Sequence, residues 1–299
     1  MATVDVITPL DPTADLPVVR TIGPADLREA LTKGFDDFRA MPTQVVFLCL
    51  IYPVIGLTLG RLSFGYDVVP LLYPLASGFA LLGPFAAIGL YELSRRRELG
   101  LETSWRHAFD VFRSPSLPSI LAVGGLLLVI FAFWLVMAQT IYVANFGERE
   151  PVSLTTFVRN VLTTRPGHNL IVLGNLAGFL FAVLAFSLSV VSLPLLLDRN
   201  VGASVAIATS VKAVAKNPVT MALWGLIVAT ALALGTALFF IGLAVVFPIL
   251  GHATWHLYRR VVEPDTRPRP PVVERPKVQR YAADFPAVLL TLFNRGGKP

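Results

Sequence analysis

Two histidines in one predicted helix have the spacing that metal chemistry needs. His252 and His256 stand four residues apart, so both imidazoles lie on one face of a helix, and neutral imidazole binds zinc, copper, iron or nickel. A stable zinc site takes three or four protein ligands, and Ala253 occupies the position at which a zincin helix carries its glutamate. We therefore interpret the histidines as an interfacial pair that is hydrogen-bonded to neighbouring loops, and we predict no cofactor. A metal-dependent membrane enzyme that uses both is an alternative.

Three other polar residues fall within hydrophobic sequence, where polar side chains are costly. Asn175 and Gln139 are predicted to join helices by hydrogen bonds, with contact to a substrate as the alternative. Glu92 lies close to the end of its hydrophobic segment, from where it can reach Arg96 or water. None of these residues belongs to a recognisable catalytic motif.

Hydrophobic segments long enough to cross a bilayer dominate the chain. Of its 299 residues, 55% are hydrophobic and 15% are charged, whereas soluble domains carry about 25% charged residues. Two segments, 44–60 and 69–91, are marginal, and three others pass the length of about 18 apolar residues that a transmembrane helix requires: 117–142, 169–197 and 219–250. The last is too long for one span, so we divide it near Gly235. The sequence thus predicts an all-α, polytopic membrane protein with six transmembrane helices.

These six helices form three repeats of one plan, which cover about residues 23–99, 100–200 and 201–262. Each repeat begins with an amphipathic, basic helix that stops at a proline, namely Pro42, Pro115 or Pro218. One span then leads out and a proline-bearing span leads back. We interpret the amphipathic helices, near 26–39, 105–112 and 208–214, as elbows that orient the following spans; a lipid-sensing surface is the alternative.

Basic residues are concentrated on one of the two sides that six spans create. The side with both termini holds 21 of the 25 Lys and Arg residues, and the positive-inside rule assigns such a side to the cytoplasm. We therefore predict a bacterial inner-membrane protein with cytoplasmic N- and C-termini. The arginines expected at the membrane surface are Arg95, Arg96, Arg97, Arg259 and Arg260.

The two ends of the chain differ from the membrane domain 23–262. Residues 1–22 are predicted to be disordered, and the tail 263–299 is rich in proline and arginine, which favours an extended chain. Its apolar segment 285–293 is too short to span a bilayer, and we expect it to bind a membrane protein complex. The contact residues would be Phe285, Leu289, Leu290 and Phe293. Nucleic-acid binding is not expected, because the position beside the membrane accounts for the basic residues.

Three short motifs carry a resemblance to a known family. They are Leu-Pro-Leu-Leu-Leu-Asp-Arg at 193–199, Lys-Asn-Pro at 216–218, and the segment 248–259 that contains both histidines. Over about residues 20–262 the chain resembles bacterial predicted integral membrane proteins of the domain-of-unknown-function family 2189. The resemblance implies a six-span inner-membrane protein, and it brings no catalytic residue or cofactor.

The sequence thus favours a protein that assists or binds another membrane complex without catalysing a reaction. The short apolar segment of the tail, the scarcity of charge within the spans and the lack of a catalytic motif support this interpretation, and a respiratory complex is one suitable partner. A small-molecule or lipid permease is the first alternative, because proline-broken helices in repeats can open a binding site within the membrane. The histidine-dependent enzyme is the second.

Overall fold

The computed structural model describes residues 17–41, 70, 72–148, 154–237 and 242–265, and the fold within these ranges is helical. The α-helices are α1 Pro24–Ala40, α2 Leu72–Phe79, α3 Gly83–Ala86, α4 Ile88–Glu98, α5 Leu117–Phe146, α6 Leu154–Thr163, α7 Arg165–Ser189, α8 Ser192–Asp198, α9 Ala203–Lys216, α10 Pro218–Ala237 and α11 Leu243–Val261. The described residues also include the 3₁₀ helices Ala80–Leu82 and Trp105–Arg113. The described residues up to and including Pro264 form one compact unit.

Within the described ranges, four helical stretches are long and apolar enough to cross a membrane: Tyr73–Glu98, Leu117–Phe146, Arg165–Asp198 and Pro218–Ala237. They correspond to four of the six predicted spans. The predicted span 44–60 lies outside the described residues. The predicted sixth span differs, because its helix begins at Leu243, ends at Val261 and is not among the four. The six-span count and the threefold repeat therefore stay predictions.

The amphipathic helix of the second repeat is wound more tightly than the sequence predicts. Residues Trp105–Arg113 form a 3₁₀ helix, in which residues three apart lie on one face. Ala108 and Val111 are consequently buried together, whereas Phe109 and Phe112 are exposed. The predicted single face that joined Ala108 to both phenylalanines is therefore divided between two sides of the helix.

Helix α1 packs closely along α11. Its stripe of Leu27, Ala30, Gly34 and Asp37 is buried, and a Cβ atom at Gly34 would lie 2.6 Å from the backbone nitrogen of Ala253. Only a glycine permits this approach, since real Cβ atoms do not come so near to another backbone. The buried face of α1 thus contacts a neighbouring helix.

Residues ahead of α1 are bound to the rest of the fold. Val19 forms a β-bridge with Val262, and the side chain of Asn217 accepts a hydrogen bond from the Ile22 amide at 2.8 Å and donates one to the Arg20 carbonyl at 3.1 Å. Lys216 donates to the Val19 carbonyl at 2.7 Å. Residues 19–22, which belong to the predicted N-terminal segment 1–22, therefore contact both α9 and the end of α11.

Candidate functional site

A buried carboxylate in the last turn of α1 is the centre of a polar cluster. Only 4% of the surface of Asp37 is exposed. Its Oδ2 atom lies 2.6 Å from the hydroxyl of Ser94 and 2.8 Å from Nε2 of His256. Its Oδ1 atom accepts a hydrogen bond from Arg97. Asp37 is thereby joined to α4 through Ser94 and Arg97, and to α11 through His256.

His252 completes this Asp37 cluster from the same face of α11. The ring is fully buried, and its Nδ1 atom lies 2.6 Å from the Ser94 hydroxyl and 3.9 Å from Oδ2 of Asp37. The i, i+4 spacing thus brings the two histidines together as predicted. Their partners, however, are side chains on helices α1 and α4, and the prediction of hydrogen bonds to loops does not describe them.

The proton positions in the cluster follow from the number of hydrogens available. Ser94 has one hydroxyl hydrogen, and an ionised Asp37 at 2.6 Å must receive it. His252 then carries its hydrogen on Nδ1 and donates it to the Ser94 oxygen. Its Nε2 atom is left as a bare acceptor, buried and without a hydrogen-bond partner among the described residues.

The environment of Asp37 favours its charged form. Burial raises the pKa of this carboxyl group, whereas hydrogen bonds from His256 and Ser94 lower it, and the lowering effects prevail. The pKa of Asp37 therefore lies below its ordinary value.

The order of these groups differs from that of a catalytic triad. In a triad, a histidine stands between the carboxylate and the serine; here, Ser94 stands between Asp37 and His252. The serine hydroxyl is also nearly inaccessible, because Ser94 is 1% exposed. Among the described residues, no group of three His, Cys, Asp or Glu side chains is arranged to hold a metal ion. The arrangement is best suited to a structural role, in which hydrogen bonds join three helices.

A pocket of about 320 Å³ opens beside the cluster. It is lined by Glu29, Ala30, Lys33, Asp37, Arg97, Glu98, His256, Arg259 and Arg260. Lys33 and Arg260 both pair with Glu29, at 2.9 Å and 2.7 Å, and Arg259 pairs with Glu98 at 2.9 Å. Each basic side chain of the lining thus has a carboxylate partner, so the pocket holds little uncompensated charge.

The arginines predicted for the membrane surface also make ion pairs within the chain. Arg95 binds Glu92 at 2.7 Å. Arg96 donates to the Glu102 carbonyl at 2.9 Å and lies 3.6 Å from Asp110. Glu92 is therefore paired with Arg95, a partner that the sequence analysis did not name.

The two predicted amide residues lie on outer surfaces of long helices. The side chains of Asn175 and Gln139 are both exposed. Asn175 donates to the Ile171 carbonyl at 2.7 Å and accepts a hydrogen bond from the Tyr73 hydroxyl at 3.0 Å. Asn175 thus joins α7 to α2, as a residue that holds helices together would. The tail residues Phe285, Leu289, Leu290 and Phe293 lie outside the described residues.

Sequence reasoning missed Asp37 and Ser94, the two residues that complete the cluster. One signal for Asp37 was present: the residue continues the spacing of Ala30 and Gly34 along the apolar face of α1. A carboxylate at that position lies on the apolar face of the helix, so it is buried with that face unless the helix ends before it. For Ser94 the sequence carries no comparable signal, since its role depends on the packing of α4 against α1 and α11.

Comparison with known proteins yields one family. A family model described as "Predicted integral membrane protein (DUF2189)" matches residues 72–198. The match runs from α2 to α8, so it includes Ser94 and Arg97 but neither Asp37 nor the histidines. No curated protein and no solved structure matches the chain.

Proposed function

We propose that this protein, whose residues 72–198 match the family model of predicted integral membrane proteins DUF2189, is an accessory subunit without enzymatic activity. It would sit in a bacterial inner membrane with six spans and cytoplasmic termini. Its role would be to bind or help assemble another membrane complex, for which a respiratory complex is a suitable partner.

The observation that best supports this proposal is a set of hydrogen bonds that fixes the chain at residues 261–263, where the tail begins. The Glu263 amide donates to the Val18 carbonyl at 2.9 Å, and the Arg20 amide donates to the Val261 carbonyl at 2.7 Å. Arg199 also donates to the Glu263 carbonyl. Residues 261–263 are thus tied to two other segments of the membrane unit. A fixed origin limits the volume that a tail can search, which raises its effective concentration near a bound complex.

The sequence of the tail supports a binding role. Proline-rich chains are extended and semi-rigid, so residues 264–276 would carry the apolar segment 285–293 away from its origin. That segment offers Phe285, Leu289, Leu290 and Phe293 as apolar contacts. Burial of such apolar side chains against a partner supplies free energy roughly in proportion to the apolar area removed from water.

The polar cluster supports a structural role more than a catalytic one. Ser94 and His252 are almost fully buried, and their hydrogen bonds are directed at Asp37 or at each other. Transport has less support as well, because Asn175 and Gln139, which would line a polar path within the membrane, are exposed on outer surfaces.

The test is capture of the protein from membranes in mild detergent, with quantification of co-purified proteins by mass spectrometry. The full chain is compared with a chain truncated after Pro264 and with the double variant Leu289→Asp/Leu290→Asp. The matched control is Val272→Asp/Val273→Asp, which adds the same charge outside the apolar segment.

We expect the full chain and the control to retain one partner at a fixed ratio, and the truncated chain and the Leu289→Asp/Leu290→Asp variant to lose it. Equal recovery of that partner with the truncated chain would show that the tail is not the docking element. Recovery of every variant alone would contradict the accessory role.

A further inference from the structure

Three aromatic side chains form an exposed ridge on the 3₁₀ helix Trp105–Arg113. Trp105, Phe109 and Phe112 are 39%, 44% and 65% exposed. The rings of Trp105 and Phe109 meet edge to face at 6.1 Å, and those of Phe109 and Phe112 are nearly parallel at 6.3 Å. Leaving so much aromatic surface in water forfeits the free energy that its burial would supply.

The face of this helix that carries Ala108 and Val111 is held against the protein. Ala108 and Val111 are buried, and Ala108 packs so near α4 that a Cβ atom at Gly89 would lie 3.1 Å from its own Cβ. Asp110 adds an ion pair of 3.6 Å to Arg96. The helix cannot turn its aromatic ridge inward without losing these contacts, so the ridge stays on the outer surface of the described fold.

The position of the ridge in the chain indicates what it meets. Trp105 follows the end of the candidate span Tyr73–Glu98 by seven residues, and Phe112 precedes the start of Leu117–Phe146 by five. Since a chain extends by at most about 3.6 Å per residue, Trp105 lies within about 25 Å of the first span and Phe112 within about 18 Å of the second. Both ends of the helix are therefore tethered to the membrane surface at which these spans end.

The charges around the ridge suit the same environment. The Arg113 side chain is 81% exposed and lies 3.7 Å from the Asp110 carboxylate. The guanidinium of Arg106 lies 5.7 Å from the centre of the Trp105 ring. Tryptophan beside arginine is typical of the interface between acyl chains and headgroups, where the ring is buried and the cation meets phosphate.

We propose that Trp105, Phe109 and Phe112 insert into the phospholipid bilayer at the level of the headgroups, with Arg106 and Arg113 directed at lipid phosphates. The ridge is then a membrane-surface anchor that fixes the angle at which the second span leaves the bilayer. This role is independent of the tail and of any partner complex.

The experiment measures the depth of a spin label at the ridge. The only cysteine, Cys49, is replaced by alanine, and Phe112→Cys carries a nitroxide in the full chain, reconstituted in vesicles of phosphatidylcholine with phosphatidylglycerol. Power saturation compares collisions with oxygen, which concentrates in lipid, and with a nickel chelate, which stays in water. Arg113→Cys, at the neighbouring residue whose side chain is 81% exposed, is the matched control.

We expect the oxygen-to-nickel collision ratio to be several-fold higher at residue 112 than at residue 113. An equal ratio at the two positions would overturn the proposal. The same measurement on a chain truncated after Pro264 shows whether the bilayer or the tail covers the ridge. A ratio at residue 112 that is unchanged by truncation supports insertion into lipid, whereas a fall to the value at residue 113 would mean that the tail covers the ridge.

Discussion

Asp37 illustrates how neighbouring side chains can reverse the effect of burial on a carboxylate. Burial alone favours the protonated, neutral form of the side chain. Here, Ser94, His256 and Arg97 all donate hydrogen bonds to its two oxygens, and hydrogen bonds to a charged acceptor are stronger than those between neutral groups. The ionised form is therefore the stable one, and it holds three helices together through one side chain.

Replacement of Asp37 by asparagine should destabilise the fold. The amide keeps the size of the carboxylate but removes its charge, so Arg97 loses its ion pair and one donor loses an acceptor. We expect the free energy of unfolding to fall by about 2 kcal/mol, the range for hydrogen bonds to charged groups. Chemical unfolding in detergent, followed by circular dichroism, measures this change.

The neighbouring residue provides the control for this prediction. Asp36→Asn removes the same charge from an exposed side chain, and its effect should stay within about 0.5 kcal/mol. Equal losses for the two variants would show that net charge, and not the buried cluster, causes the effect.

Stability should also fall at low pH in a way that depends on Asp37. Its pKa in the folded chain lies below the ordinary value of about 3.9, so its contribution is fully present above that value and is lost as pH falls through the folded pKa. The difference in unfolding free energy between the native chain and Asp37→Asn should therefore shrink from about pH 5 to about pH 3. A difference that is constant over this range would contradict the assignment of Asp37 as ionised.

At the scale of the element, the approach of α1 to α11 determines the geometry of the cluster. Gly34 lets the two helices come close, and Asp37 lies one turn further along α1, where it reaches His256. The face of α11 that carries both histidines is thereby covered. Two local features, a glycine and a carboxylate three residues apart, act together only because a second helix packs on them.

A methyl group at Gly34 should push these helices apart. In Gly34→Ala the new Cβ would lie 2.7 Å from the Cβ of Ala253, and overpacking of this kind costs about 1–3 kcal/mol. Gly174→Ala is the matched control, because a Cβ there meets nothing within 4 Å. Thermal unfolding in detergent should show a lower midpoint for Gly34→Ala alone; equal midpoints would mean that α1 can shift without cost.

At the scale of the whole molecule, the sequence predicts on which side of the membrane each part lies. With cytoplasmic termini and six spans, cysteines introduced at Thr8 and Lys298 in the Cys49→Ala chain should react with an impermeant maleimide only after cells are permeabilised. A cysteine at Glu150, in the long loop between two spans, should react in intact cells whose outer membrane has been opened. Reaction of Lys298→Cys in those intact cells would support an odd number of spans.

The membrane class and the helical character could be predicted from the sequence because both depend on local sequence. A run of apolar residues is long enough to cross a bilayer regardless of what surrounds it. The match of residues 72–198 to a family of predicted integral membrane proteins and the four candidate spans confirm that class. The 3₁₀ winding of Trp105–Arg113 could not be predicted from the sequence of this segment. It is favoured by the burial of Ala108 against α4, and α4 lies outside the segment.

By itself, the sequence determined that the chain is a helical membrane protein and that His252 and His256 share a helix face, since hydropathy and spacing act over a few residues. Only the tertiary structure decided what those histidines meet. His256 and its partner Asp37 are separated by 219 residues, and Ser94 lies between them in the chain. Contacts at such separations depend on how whole helices pack, and no local pattern in the sequence specifies that packing.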